Sequence, residues 1–278
     1  MQTPPDLTIR PRDLSIGRTA GGARWWMGRD PVASIFYDVL SASFPQGERF
    51  FMDSVRHYRD RAPAALQAQI AGFLTQEALH TREHIVFNRQ IEAGGYDLAR
   101  IEAHLRGVLG WARSRKPVEQ LAATAALEHF TAILAHELLA DPRHLAQAPP
   151  EARRLWRWHA IEEIEHKAVA YDTFLFVTDD LSAWRRWALR SYGMLAATIL
   201  FFRFLAFGLG DLFAQDGIRG GRTWLRWLHF AFVRPGMLRR VMGRYATYYR
   251  PGFHPWHVDD RALTAAADRE LQPSYAQG

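Results

Sequence analysis

The chain has 278 residues, 48% of them hydrophobic, a formal net charge of +6 and no cysteine. That length and apolar content support a domain with a substantial core. The missing thiols exclude disulfides, thiolate nucleophiles and cysteine-held zinc or iron–sulfur centres, so any metal must be held by His, Asp and Glu.

The first twenty residues are polar and contain proline, without the apolar stretch of a signal peptide, and a cytoplasmic start is expected. Residues 1–30 read as an irregular segment. Asp30-Pro31 is an N-cap followed by proline at the first helical position. The helix it opens should run to about residue 44, break at Phe44-Pro45-Gln46-Gly47, and resume from Glu48 to Tyr58. Pro63 opens a helix that ends at Gly94-Gly95, and a shorter helix covers roughly 97–113. Pro117 starts another, ending near Asp141-Pro142, and Pro149-Pro150 precede one reaching about Val177. Strand signals are sparse. The expected fold class is all-α, with a four-helix bundle over 31–180 as the economical architecture.

Residues 181–250 read as an apolar and basic helical appendage, and 251–278 as a tail with one short helix near 260–270. Asp211 and Asp216 are the only acids between 185 and 250, which is rich in arginine, so the positive balance belongs to this third of the chain. The run 191–210 is long enough for a hydrocarbon core of about 30 Å, but it contains Arg203, whose burial there costs roughly 2.5–3.5 kcal/mol. The following RTWLRWLHFAFVRPGMLRRVMGR interleaves arginine with Trp, Leu and Phe. It suits a helix lying at an anionic membrane surface, and equally a packing helix with a solvated basic face. No nucleic-acid-binding module is recognisable, and no nucleic-acid partner is expected.

The densest chemistry lies in WHAIEEIEHKAVAYD, residues 158–172. Residues three and four apart share a helix face, so His159, Glu163 and His166 form one stripe. Glu162 satisfies a similar spacing and remains the alternative to Glu163. In QEALHTREH, Glu77 and His80 are spaced i, i+3, with His84 extending the stripe. Glu83 and His84 are expected as supporting groups or a solvated edge rather than ligands. Glu128 and Glu48 each sit in an apolar helical run. One Glu from each of two helices and one Glu-x-x-His from each of two others is the inventory of a dinuclear carboxylate centre. Four carboxylates offset the repulsion between two cations, whereas without metals they are costly to keep ionised in a bundle core. His57, His136 and His144 carry an ordinary packing reading.

With these residues in view, the chain resembles the ferritin-like di-iron carboxylate proteins, and in particular the bacterial family described as predicted metal-dependent hydrolases, over roughly residues 20–260. QEALHTREH, ALEHF, WHAIEEIEHKAVAYD and the ending YYRPGFHPW carry that resemblance. The extra histidine is similar to the ligand pattern of p-aminobenzoate N-oxygenase. That resemblance implies a ligand set of Glu48, Glu77, His80, Glu128, His159, Glu163 and His166.

The leading expectation is an O2-activating di-iron oxidase or oxygenase acting on a small or apolar, lipid-like substrate, with O2 and an electron donor as partners. The alternative is a hydrolase using a metal-bound water, with manganese or zinc replacing the two iron ions. Iron storage fits poorly with a basic, tryptophan-rich appendage. Peripheral contact at the inner face of the membrane through 185–250 and a homodimer are compatible with the sequence.

Overall fold

In a computed structural model the chain is described at residues 3–4, 6–16 and 22–275, with side chains described to Leu271. Every regular element among them is helical. The helices are α1 (Pro31–Arg56), α2 (Ala64–Ala93), α3 (Ala99–Arg113), α4 (Pro117–Ala140), α5 (Pro150–His166), α6 (Val169–Val177), α7 (Ala183–Gln215), α8 (Gly221–Phe232), α9 (Met237–Thr247) and α10 (Arg261–Tyr275). Helix α1 packs on α2, α2 on α5, α5 on α4 and α4 on α1. These four close a ring, an all-α bundle with its interior between them.

Helix α1 starts as expected: the Asp30 carboxylate accepts from the Val32 and Ala33 amides. The break expected at Phe44–Gly47 is absent, and α1 passes through Pro45 without interruption. A proline inside a helix frees the carbonyl four residues earlier, here that of Ser41. The Asn88 amide on α2 donates to that carbonyl at 3.3 Å, so a neighbouring helix satisfies the freed group.

The helix expected over 150–177 is instead two, α5 and α6, parted at Lys167-Ala168. Lys167 turns away from the helix axis: its ammonium donates to the Val258 carbonyl at 2.8 Å and the Asp260 carboxylate at 2.7 Å, above the Trp256 ring. A tertiary contact with the C-terminal region thus accompanies the end of α5.

The apolar run 191–210 lies within α7, one helix of 33 residues. It is long and apolar enough to cross a membrane by length and composition, and 39% of its most apolar stretch is buried inside the protein. It docks on the bundle through glycines. A methyl group on Gly208 would sit 2.6 Å from Val39 of α1, and one on Gly193 would sit 3.0 Å from the Ala122 carbonyl of α4. Helices α8 and α9 follow, and α10 returns to pack on α5. The N-terminal strap crosses α5 as well, where the Arg12 guanidinium joins Glu165 and Asp268.

Candidate metal centre

Each ring helix brings acidic or imidazole groups to the interior. Glu48 comes from α1, Glu77 and His80 from α2, Glu128 from α4, and His159, Glu163 and His166 from α5, all buried. The i, i+3 and i, i+4 spacings place the side chains within each helix on one face, and the ring closure brings the four faces together. Two groups of three form, each with one ligand-type atom per residue and those atoms within 4.8 Å of one another: Glu48, His80 and His159; and Glu77, Glu163 and His166. Glu163 Oε1 lies between them, 3.0 Å from His159 Nε2, 3.4 Å from His80 Nδ1 and 3.5 Å from His166 Nε2. Glu128 stands outside both triplets but adjoins the second, with Oε2 3.4 Å from His166 Nε2, which is also 3.2 Å from Glu77 Oε1.

Glu162 is equally buried but turned differently. Its Oε1 accepts from the Arg12 amide at 2.8 Å, and its Oε2 lies 3.1 Å from His80 Nε2, the ring nitrogen directed away from Glu163. Glu83 accepts from the Ile16 amide and pairs with Arg82. Among the other histidines, His136 pairs with Asp260, His144 with Glu137, and His57 lies against the Tyr58 ring.

Around the cluster runs a polar layer in which His84 is one of the expected supporting groups, while the sequence reading left out Ser41, Gln76, Thr81 and Asn88. Thr81 donates to Glu48 Oε2 at 2.7 Å, and Gln76 Oε1 lies 3.0 Å from His166 Nδ1 while its amide donates to Glu165. Ser41 and Asn88 connect to His84, which contacts His159. Gln76, His80, His84 and Asn88 are buried at four-residue intervals along α2. That stripe of polar residues was the available signal.

Burial and mutual charge set the electrostatics. Glu77 and Glu128 are pushed well above the usual carboxylate range, by burial first and then by the neighbouring carboxylates. Burial raises Glu48 to about 8 against the opposing pull of His80 and Thr81. Burial would lower His80, but Glu162 and Glu163 hold its imidazole up to about 10. His159 is lowered to about 4 by burial and by His80, whose ring stacks on it at 4.1 Å. Burial would raise Glu163, yet His166 first, with His80, holds it well below the ordinary value.

The donor set fits a metal centre. Glu48 Oε1, Glu77 Oε2, both Glu128 oxygens, Glu163 Oε2, His80 Nδ1, His159 Nε2 and His166 Nε2 are buried without a hydrogen-bond partner. Native interiors rarely leave such atoms unpaired, and this cluster concentrates them, whereas others, such as Asp38 Oδ2 and Tyr248 Oη, are scattered through the protein. A third acid–histidine group, Glu137, Asp141 and His144, lies at the end of α4. Its carboxylates are engaged by Arg143 and Arg240, so guanidinium groups already supply the countercharge.

A family model described as predicted metal-dependent hydrolase matches residues 10–259. No curated protein and no solved structure matches the chain. The family description favours the hydrolytic alternative over the oxidative expectation. The ferritin-like di-iron type and the likeness to p-aminobenzoate N-oxygenase gain no support from these comparisons.

Proposed function

The chain belongs to the predicted metal-dependent hydrolase family, and from that premise we propose that it is a dinuclear metal enzyme that hydrolyses an apolar substrate. The observation carrying this reading is the set of unpartnered buried oxygens and imidazole nitrogens contributed by four helices to one place. Glu48, His80 and His159 would hold one ion, and Glu77, Glu163, His166 and Glu128 the other. Two such ions supply Lewis acidity and a water acidified toward neutral pH. Zinc and manganese suit this chemistry with His and carboxylate ligands.

The residues of the chain do the rest. Thr81 fixes the Glu48 carboxylate, and the Gln76 carbonyl faces His166 Nδ1 so that Nε2 turns toward the cluster. Phe44, Trp156 and Trp158 wall the histidines with apolar rings and keep bulk water away. Glu48, His159 and Glu163 also line a cavity of about 240 Å³, which gives a substrate access to the cluster.

A second reading, O2 activation by two iron ions with an external electron donor, is favoured by the ligand inventory: two Glu-x-x-His pairs and two further glutamates, each on its own bundle helix. One experiment separates the two. Metal content is measured on protein purified without added metal, and p-nitrophenyl acyl esters are offered under argon. Turnover under argon that is lost with a chelator and in Glu163→Gln supports hydrolysis. Iron content, no ester turnover under argon and O2 consumption by the dithionite-reduced protein would overturn it in favour of the second reading.

A further inference from the structure

The cavity beside the cluster is elongated. Along α4 its wall runs from Glu119 to Leu138, which at 1.5 Å per residue is about 28 Å. Along α7 it runs from Leu189 to Phe204, about 22 Å by the same rise. A compact ligand needs no wall of this length. The charged and imidazole groups on that wall fall in two places: Glu48, His159 and Glu163 at the cluster, and Arg115 with Glu119 at one end. Glu128 of the cluster lies near the midpoint of the α4 wall in sequence, so the cluster stands partway along the cavity rather than at its tip.

The two ends differ. At one, Leu138 and Met237 are buried and close the cavity. At the other, Trp111 and Tyr192 are 45% and 64% exposed, and Arg115 is exposed beside the Trp111 ring at 4.9 Å. Glu119 accepts from the Lys116 amide. The Arg115 guanidinium donates to Ser114 Oγ at 3.3 Å, and among the described residues no carboxylate pairs with it. The open end therefore offers a guanidinium without a carboxylate partner beside the Trp111 ring, and the closed end is walled by uncharged, mostly apolar and aromatic side chains.

We propose that this cavity is a slot for one long hydrocarbon chain with an anionic head, the head at Arg115 and the chain running past Glu48, Glu163 and His159 toward Leu138. That this stretch of the wall is a metal centre rests on the proposed function; occupancy of the slot does not. A free fatty acid and a lysophospholipid share this chemistry.

The test measures displacement of a fluorescent fatty acid from the full-length protein, both metal-loaded and chelated. The competitors are saturated carboxylates of increasing length, the matching alcohols and palmitoyl lysophosphatidate. In the wild type, affinity should rise about fourfold per methylene until the slot is filled and then level off. Ala135→Trp, toward the closed end, should move that plateau to shorter chains while short-chain affinity is kept. Arg115→Ala should weaken the carboxylates at least fivefold and leave the alcohols unchanged. Tighter binding of the lysophosphatidate than of palmitate identifies a phospholipid head, and the reverse a free acid.

Affinity that does not depend on chain length in the wild type overturns the proposal whatever the variants do. So does an equal effect of Arg115→Ala on acids and alcohols. Chain binding retained by a protein that takes up no metal would sink the proposed function alone, and metal uptake without chain binding would sink this inference alone.

Discussion

His84 Nε2 lies 2.7 Å from His159 Nδ1, both rings buried in the bundle. The protons along this contact follow from one hydroxyl. Ser41 Oγ donates its single proton to Asn88 Oδ1 at 2.7 Å, so toward His84 Nδ1, 2.8 Å away, it can only accept. His84 therefore carries its proton on Nδ1 and accepts on Nε2, which makes His159 the donor through Nδ1. The His159 Nε2 lone pair is left facing Glu163. Burial first, and the neighbouring imidazoles next, keep both rings in the neutral form this relay requires.

Removing the relay should loosen the metal while the fold is kept. Ser41→Ala frees the His84 tautomer, and His84→Phe keeps the ring volume but loses the contact. Outer-layer partners of metal-binding histidines contribute 10–100-fold in affinity, and a loss of about that size is expected in both variants. Competition with a fluorescent chelator measures it, and unchanged affinity in His84→Phe would remove His159 from the ligand set.

Glu162 and Glu163 are adjacent and both buried, yet their partners differ. Glu162 is held by Arg12 from the N-terminal strap, whereas Glu163 faces three imidazoles. Glu163→Gln should abolish metal binding. Glu162→Gln should retain it and instead lower the melting temperature, because the Arg12 contact is weakened. Metal analysis after gel filtration distinguishes them, and the opposite pattern would exchange their roles.

The metal-free protein keeps three carboxyl groups, Glu48, Glu77 and Glu128, in an interior that opposes their charge. Glu128 is the most exposed to this conflict, since neither of its oxygens has a hydrogen-bond partner. Neutralising it should relieve the conflict. Glu128→Gln is expected to melt about 2–5 °C higher than wild type in the presence of chelator and to gain less from added metal. Scanning calorimetry with and without metal reads both changes, and a lower melting point in chelator would count against the conflict.

How far the sequence revealed this arrangement depends on the range of the interaction. The stripes of α2 and α5 were legible because helical spacing is local: once a helix is granted, His159, Glu163 and His166 must share a face. The different surroundings of Glu162 and Glu163 were not, because Arg12, which binds Glu162, lies some 150 positions away. The same holds for Pro45, whose freed partner carbonyl is satisfied by Asn88 of α2, and for Lys167, whose Asp260 partner lies beyond the bundle. The polar layer of Ser41, Gln76 and Thr81 consists of ordinary helix residues. Their roles arise from what the neighbouring helix places opposite them.

Asp38 on α1 provides a pH-dependent stability term away from the cluster. Burial, with the nearby Asp216 adding to it, raises its carboxyl from 3.8 to about 8, against the Trp26 indole that donates to Oδ1 at 2.8 Å. The folded state then holds a proton that the unfolded chain has released over the range from 3.8 to about 8. Where the native state binds more protons, stability falls as pH rises. Asp38→Asn should leave stability near pH 4 little changed and raise it at pH 8, by an amount on the order of a few kcal/mol. Urea unfolding at both pH values gives the comparison, and an equal effect at the two would exclude Asp38 as the source.

Helix α7 has the length and composition of a membrane span, but its glycines hold it against α1 and α4 at distances that admit no side chain. Leaving the bundle to span a bilayer would forfeit that packing and expose the apolar face of α4. Its outward residues Tyr192, Leu195 and Ile199, at 64%, 52% and 52% exposure, are free for a shallower contact, and Arg203 continues the same face. Peripheral binding to an anionic surface is thus the expected mode, with aliphatic contact and arginine attraction acting together. The intact protein should float with phosphatidylserine-containing vesicles, dissociate in high salt, and stay behind when Leu195 and Ile199 are both changed to Asp. Flotation that survives high salt and carbonate washing would instead point to insertion, and no flotation of the wild type would leave α7 as a packing helix alone.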